Sequence, residues 1–238
     1  MTARAIVAAI LMLSASAEAS MFGDPSVIAI WQARGWANNS RAVDRVGGAV
    51  GTNGTPAVWR SEHWTLGKNA GMQIKLGTAA YLKPSGSWSF ATAYMPTNFG
   101  TANGDILFNN QGASPFRGIS FVASADNRLD VQFYNGSFRN PRSAAGVLSN
   151  STGTLWYNIA VVCNQTNVSG WVNGAQVLST NISAAIQYDG TETSIGFGYI
   201  NNAPEGLISY VALWSRALTA TEIGIQAAAG PYPIGRVP

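Results

Sequence analysis

The stretch "EGLISYVALWSRALTATEIGI", residues 205–225, begins as an extended segment and ends as a short helix. Leu207, Ser209, Val211 and Leu213 fall on one face of an extended chain, and Ile208, Tyr210, Ala212 and Trp214 on the other. Both faces therefore carry apolar groups, and a strand of this kind is covered on both sides. Thr219 stands three residues before Glu222, the spacing at which an N-cap hydroxyl and an N3 carboxylate satisfy each other's backbone donors. A helix is expected to start at about Thr219. Ile223 and Ala227 share a stripe on it, and the run of alanines, Gly and Pro over 227–231 ends it. The stretch reads as strand, corner and helical clasp.

The rest of the chain is bounded by its composition. Its 238 residues are 47% hydrophobic but only 11% charged, with abundant Gly, Asn, Ser and Thr, which suits a sheet protein with uncharged polar loops. A net charge of +3 arises from 14 basic and 11 acidic residues, with no Lys/Arg run able to track a phosphate backbone. No nucleic-acid partner is expected. The single cysteine, Cys163, cannot form an internal disulfide, and it reads as a buried strand thiol.

Short strands follow one another along the chain: "IAIW" (28–31), "GMQIKL" (71–76) and "SWSFATAYM" (87–95). The last puts Trp88, Phe90, Thr92 and Tyr94 on one face and small Ser89, Ala91 and Ala93 on the other. "GDILFNN", "RGISFVAS", "NRLDVQFYNG" and "LWYNIAVVC" come next, then "VSGWV" and "AQVLST" joined at Asn173-Gly174, and then "TSIGFGYI". Asn-Gly between two such runs is the signature of a two-residue type I′ hairpin. Strands at this spacing, without intervening helices, indicate an all-β, two-layer antiparallel β-sandwich with a short C-terminal helix. Trp88, Trp156 and Trp214 are expected inside it. One sandwich over residues 21–227 is expected, with a Pro/Gly-containing tail over 228–238.

In content and order, "SWSFATAYMP", "LWYNIAVV" with "GWVNGAQV", "SIGFGY" and "GLISYVALWSRALTATEI" resemble the laminin-G-like, concanavalin A-like lectin/glucanase jelly-roll superfamily. The resemblance covers roughly residues 28 to 226 and implies the same sandwich, with residues 205–225 as its final strand and clasp. Ser209 departs from it, because many relatives carry an acidic residue there. The superfamily hosts lectins, glycoside hydrolases, adhesion modules and virion components, so the fold alone leaves function open.

Retaining glycosidases need two carboxylates about 5 Å apart, and hydrolases of this superfamily carry them as Glu-x-Asp-x-x-Glu on one strand. That motif is missing, and Glu18, Glu62, Glu192, Glu205 and Glu222 are far apart in sequence. His63, the one histidine, reads as a loop residue in "WRSEHWTL". The expectation is a protein that is not an enzyme, a degenerate or atypical glycoside hydrolase being the second alternative. Asp105, Asp126 with Asn127, and Asp189 stand at loop or strand ends where calcium is compatible, but they are ordinary turn residues. No cofactor or metal is assigned.

A sugar site combines an aromatic face with amides and hydroxyls that bond the ring substituents. Trp171 is the leading candidate, because Val168, Gly170 and Val172 take the other strand phase while Ser169 shares its face. Tyr199 with Asn201, and Tyr134 with Asn135, are candidates at strand ends.

Residues 1–20 have two readings. Arg4, the apolar run 5–13 and small residues ending at Ala17 or Ala19 have the form of a secretory signal. The apolar run is too short to span a bilayer, so no integral membrane protein is expected. The same segment also suits an apolar arm docking onto other protein subunits. The expectation is a non-catalytic recognition or decoration module, a structural subunit displayed on an assembly such as a phage virion, with weak binding of extracellular glycans. The alternative is a secreted bacterial carbohydrate-binding, lectin-like domain.

Overall fold

A computed structural model describes residues 23–32, 41–43, 46, 50–55, 58–59, 64–66, 73–98, 105–112, 114–124, 126–148, 155–196 and 205–231. In chain order the strands are β1 (Val27–Gln32), β2 (Arg41–Val43), β3 (Val50–Thr55), β4 (Val58–Trp59), β5 (Trp64–Leu66), β6 (Gln73–Gly77), β7 (Ser87–Asn98) and β8 (Asp105–Asn109). They continue as β9 (Ile119–Ala123), β10 (Leu129–Tyr134), β11 (Phe138–Arg139), β12 (Tyr157–Asn164), β13 (Asn167–Val172), β14 (Ala175–Asn181), β15 (Thr193–Ile195) and β16 (Glu205–Trp214). A 3-10 turn spans Ala80–Leu82, and one α-helix, α1, spans Ala220–Ala228.

Two antiparallel sheets result. The first runs β14-β13-β12-β7-β16-β5-β4, with β1 also paired to β16, and the second runs β11-β10-β9-β8-β15-β6-β3-β2. Between them lies one apolar cluster, in which the Phe90 ring centre sits 4.6 Å from that of Phe121 and 5.2 Å from that of Phe108. These aromatics come from the large-residue face of β7.

The small-residue face of β7 has a different partner. Ala91 and Ala93, with Ala160 of β12 and Ala212 of β16, make a shallow floor on the outer side of the first sheet. Ile223 of α1 and Leu218 of the corner pack onto it. Several polar groups beside this second core are paired. Gln226 donates to the Tyr210 hydroxyl, Asn158 Nδ2 donates to the Ala227 carbonyl at 3.3 Å, and Ser89 Oγ accepts from Leu218 N at 2.8 Å. The helix opens on the expected capping box between Thr219 and Glu222.

Arg216 ties this clasp to the start of the sandwich. Its Nε donates to Asp24 Oδ2 at 2.8 Å and its Nη1 to Glu222 Oε2 at 2.9 Å, so one guanidinium joins the turn before β1 to the first turn of α1. These bonds from Arg216 hold the Glu222 carboxyl down at about 2. Asp24 is lowered too, first by the Ser26 backbone N–H and then by Arg216.

Two expectations need correction. Plain alternation places Ile208 with Tyr210 and Trp214, but a bulge between Ile208 and Tyr210 inserts Ser209 as an extra residue. Ile208 therefore shares the inner core with Val211 and Leu213, while Tyr210, Ala212 and Trp214 face the helix. Because both faces are apolar, the pattern fits either phase. Ser209 donates to the Pro231 carbonyl and fastens the turn after α1. Trp156 is likewise not in the inner core. Regular pairing starts at Tyr157, and Trp156 is only half-buried against the outer cluster, whereas Trp88 and Trp214 are fully buried.

Phe90→Ala should therefore cost about 3–5 kcal/mol in chemical denaturation, and Trp156→Ala clearly less. Equal losses would contradict the assigned strand phase. Glu222 contributes stability that is fully present above its unfolded value near 4.5 and is lost as pH falls toward about 2. Arg216→Gln should lower the melting temperature at neutral pH by a few degrees and flatten its decline over that acid range. An unchanged acid profile would show that another group sets it.

Candidate functional site

The Asn-Gly hairpin builds the first part of the site. Asn173 and Gly174 take φ of 50° and 81°, the pair of left-handed residues that a type I′ turn requires. Asn173 Oδ1 also accepts from Asn158 N at 2.9 Å, locking the turn against β12. The hairpin sets Trp171 opposite Gln176. A bulge between Gly170 and Trp171 then brings Ser179 opposite Ser169 and Asn181 opposite Asn167. All six side chains lie on the outer side of the first sheet, since Val168, Val172 and Leu178 point into the inner core.

The helix covers the middle of that outer side and stops short of β14. Trp171 sits at the boundary, half-buried against the outer cluster, with its indole N–H donating to Ser169 Oγ at 3.0 Å. Beyond it Asn167 Nδ2 donates to Ser179 Oγ at 2.9 Å, with Asn181 Oδ1 at 3.4 Å, so amides and hydroxyls hold one another in fixed directions. Gln176, Ser179 and Asn181 are exposed. From Trp171 to Asn167 this surface is about 13 Å long and carries no charge.

It leads into a groove. Ile182 follows Asn181 directly, and its N–H bonds the Thr166 carbonyl at 2.9 Å, which places the segment 182–186 beside the β12–β13 turn. Together with residues 84–86 they enclose a cavity of about 480 Å³. Its hydrogen-bonding groups are Ser85, Gln165, Thr166 and Ser183, and its walls are Pro84, Ile182, Ile186 and two alanines. Gln165 stands at φ 75°, an uncommon conformation for a side-chain-bearing residue. Trp88 and Cys163 form the floor, and both are almost wholly buried. The Cys163 thiol donates to the Gly86 carbonyl at 3.6 Å, and burial pushes its pKa up, so it is packing material rather than a nucleophile.

The other sequence candidates lie elsewhere. Tyr134 ends β10, half-buried, with the Arg117 guanidinium 5.9 Å from its ring centre. Asn135 is 8% exposed, and its Oδ1 has no hydrogen-bond partner among the described residues. Neither shares a face with Trp171. Tyr199, Asn201, His63, Glu18 and Glu62 lie outside the described residues, as do the side chains of Asp105 and Glu205. Gln165, Thr166, Ser183 and the β14 residues were not anticipated. The hairpin register alone points to Gln176, but the bulge and the three-loop groove have no local signature.

Carboxylates come close where they share an arginine. Asp126 and Asp130 both contact Arg142, and Ser124 Oγ lies 2.7 Å from Asp126 Oδ1 and 3.2 Å from Asp130 Oδ1, its single hydrogen shared between them. Burial pushes Asp130 up, while Ser124 and the two arginines Arg128 and Arg142 hold Asp126 down. Among the described residues no group of three His, Cys, Asp or Glu side chains gathers as a metal site. Asp189 Oδ1 caps its own turn by accepting from Thr191 N at 2.8 Å.

No curated protein matches the chain by sequence. Among solved structures, the binding domain of Paraclostridial Mosquitocidal Protein 1 superposes with a TM-score of 0.66 at 12% identity, over 85% of this chain and 52% of that one. Domain 4 of an extracellular arabinanase from Geobacillus stearothermophilus, in complex with arabinotriose, gives 0.60 at 16% identity, over 85% of this chain and 98% of that one. Botulinum neurotoxin type C, whose cell entry depends on interaction with two ganglioside molecules, gives 0.64 at 14% identity over 86% and 51%. The chain thus spans about half of each of the two toxin chains it superposes on. At these identities the likeness is one of fold. A family model matches residues 66–224, and the chain belongs to that laminin G family of the concanavalin A-like lectin/glucanases superfamily.

Proposed function

We propose that the protein is a non-catalytic carbohydrate-recognition domain acting outside the cell, and that it binds a neutral saccharide along the surface from Trp171 to the groove at Gln165. The observation that carries this reading is the uncharged track of Trp171, Gln176, Ser179, Asn167 and Asn181 ending in a cavity of about 480 Å³. An aromatic face beside fixed amides and hydroxyls suits a sugar ring, which presents C–H groups on one face and hydroxyls around its edge. The fold neighbours are consistent with it, one being held with arabinotriose. Among the described residues, the carboxylates that approach one another are each tied to an arginine, which supports the non-catalytic reading.

Calorimetry with neutral oligosaccharides from glucans, galactans and arabinans should find a binder. Trp171→Ala should weaken it about tenfold or more, equivalent to about 1.4 kcal/mol. Asn181→Ala and Gln165→Ala, at exposed positions, should weaken it without changing the melting temperature. Undiminished affinity in all three variants would remove the site, and reducing-sugar release abolished by one Asp or Glu substitution would overturn the non-catalytic reading.

Display on a larger assembly is the finer reading, and it rests on the apolar residues 5–13, outside the described residues. Deletion of residues 2–20 should leave saccharide binding intact and abolish co-sedimentation with the assembly. If mature protein begins after Ala17 or Ala19, the segment is a secretory signal and the free lectin-like domain stands.

A further inference from the structure

A second surface differs from the track in chemistry. The loop between β8 and β9 is anchored by Asn110, whose Nδ2 donates to the Leu82 carbonyl at 3.0 Å and whose Oδ1 accepts from Ile119 N at 2.7 Å. From this base the loop presents Phe116, at φ 62°, and Arg117. Phe116 lies 5.7 Å, centre to centre, from Phe138 of β11, and the two rings are 37% and 44% exposed. Phe138 pairs with Tyr134, so both stand on the outer face of the second sheet, and the Arg117 guanidinium lies over the Tyr134 ring. Arg117 is exposed and makes no ion pair among the described residues. A cation held by an aromatic ring keeps its edge N–H donors free for a planar anion.

This surface adjoins the groove. Ile186 lines the groove, and the next residue, Gln187, donates its N–H to the Tyr134 carbonyl at 2.8 Å. The groove and the aromatic surface are therefore joined through one segment, 182–187.

We infer that Arg117, Tyr134, Phe116 and Phe138 form an acidic-sugar subsite, which selects saccharides carrying a carboxylate. Arg117 takes the carboxylate in bidentate fashion, and the exposed phenylalanine rings accept the C–H face of the same sugar. Charge complementarity calls for an anion, and continuity with the groove favours a sugar acid over an anionic lipid surface or an acidic peptide. The inference rests on the reading of the molecule as a saccharide-binding domain. Arg139 supplies an internal control. It is exposed, but it pairs with the inward-facing Phe133 and so projects to the other side of β11 from Phe138.

The experiment is calorimetry on the whole chain with trigalacturonate, sialyllactose and the methyl esters of both, alongside a sulfated oligosaccharide and phosphatidylserine vesicles. At least one acid should bind about tenfold tighter than its ester. Arg117→Gln should erase that preference, and Arg139→Gln should leave it. Phe138→Ser should weaken acid and ester alike, and Trp171→Ala should leave the acid-to-ester ratio unchanged. Equal affinity for acid and ester, or equal losses from the two arginine variants, would overturn the subsite. So would Arg117-dependent binding of vesicles, or of the sulfated sugar, without binding of either acid. Because the ratio is read separately from neutral-sugar affinity, failure here is distinct from failure of the Trp171 track.

Discussion

Two-sided burial of the first sheet is the constraint on which the rest of this structure depends. A strand at the centre of a sandwich normally shows one face to the core and the other to water, but β7, β12 and β16 are closed on both faces. The inner face is filled by large aromatics, and the outer face is kept small so that a helix can approach. Ala91, Ala93, Ala160 and Ala212 are what make room for Ile223 and Leu218. With larger residues there, α1 would stand off the sheet, and the bonds from Gln226 and Asn158 would be lost. Arg216 matters for the same reason. It holds the corner so that the helix lies over the alanines, and it joins the two ends of the described fold through Asp24 and Glu222.

The position of the site follows from where this helix ends. A nine-residue helix is about 14 Å long, so it covers the middle strands and leaves β14 and part of β13 uncovered. Trp171 takes up the boundary, half under the cluster and half in solvent. The uncovered strands can be polar because their outward side chains at Gln176, Ser179 and Asn181 are exposed, and they avoid charge by pairing amides with hydroxyls across the hairpin. The β14 edge is thereby furnished with short polar side chains rather than an apolar face.

The sequence was most legible where one local rule decided the structure. The capping box at Thr219 and Glu222, the turn at Asn173-Gly174 and the two unlike faces of β7 each follow from a few adjacent residues. Legibility failed where two rules agreed with more than one answer. Residues 205–214 are apolar on both faces, so the bulge at Ser209 left no trace in the alternation. Strands β2, β4 and β5 are only two or three residues long and β3 is mostly Gly and Thr, so their pairing is fixed by neighbours rather than by period. Trp171 and Ser169 were readable from strand phase. Ser179 and Asn181 were not, because the bulge beside Trp171 moves them onto its face. The groove joins segments near residues 85, 165 and 184, which only the closed sandwich brings together.

The two surfaces also show how a low-charge sandwich separates chemistries. The track on the first sheet bonds through neutral groups, whose contacts are short-ranged and insensitive to salt. The surface at Arg117 relies on a cation, which acts at longer range and is screened by ions. Lying on the two sheets and linked through the groove, they would differ in what they reward under the proposed function: shape and hydroxyl pattern on one, charge on the other. Tyr134 makes the second possible. Without a ring beneath it, the Arg117 side chain would retain its rotamer freedom, and ordering it against a ligand would cost roughly 1.5–2 kcal/mol. Held over the ring, it would meet a carboxylate with part of that entropy already lost, which gives the half-buried aromatic at the end of β10 its part in the proposed subsite.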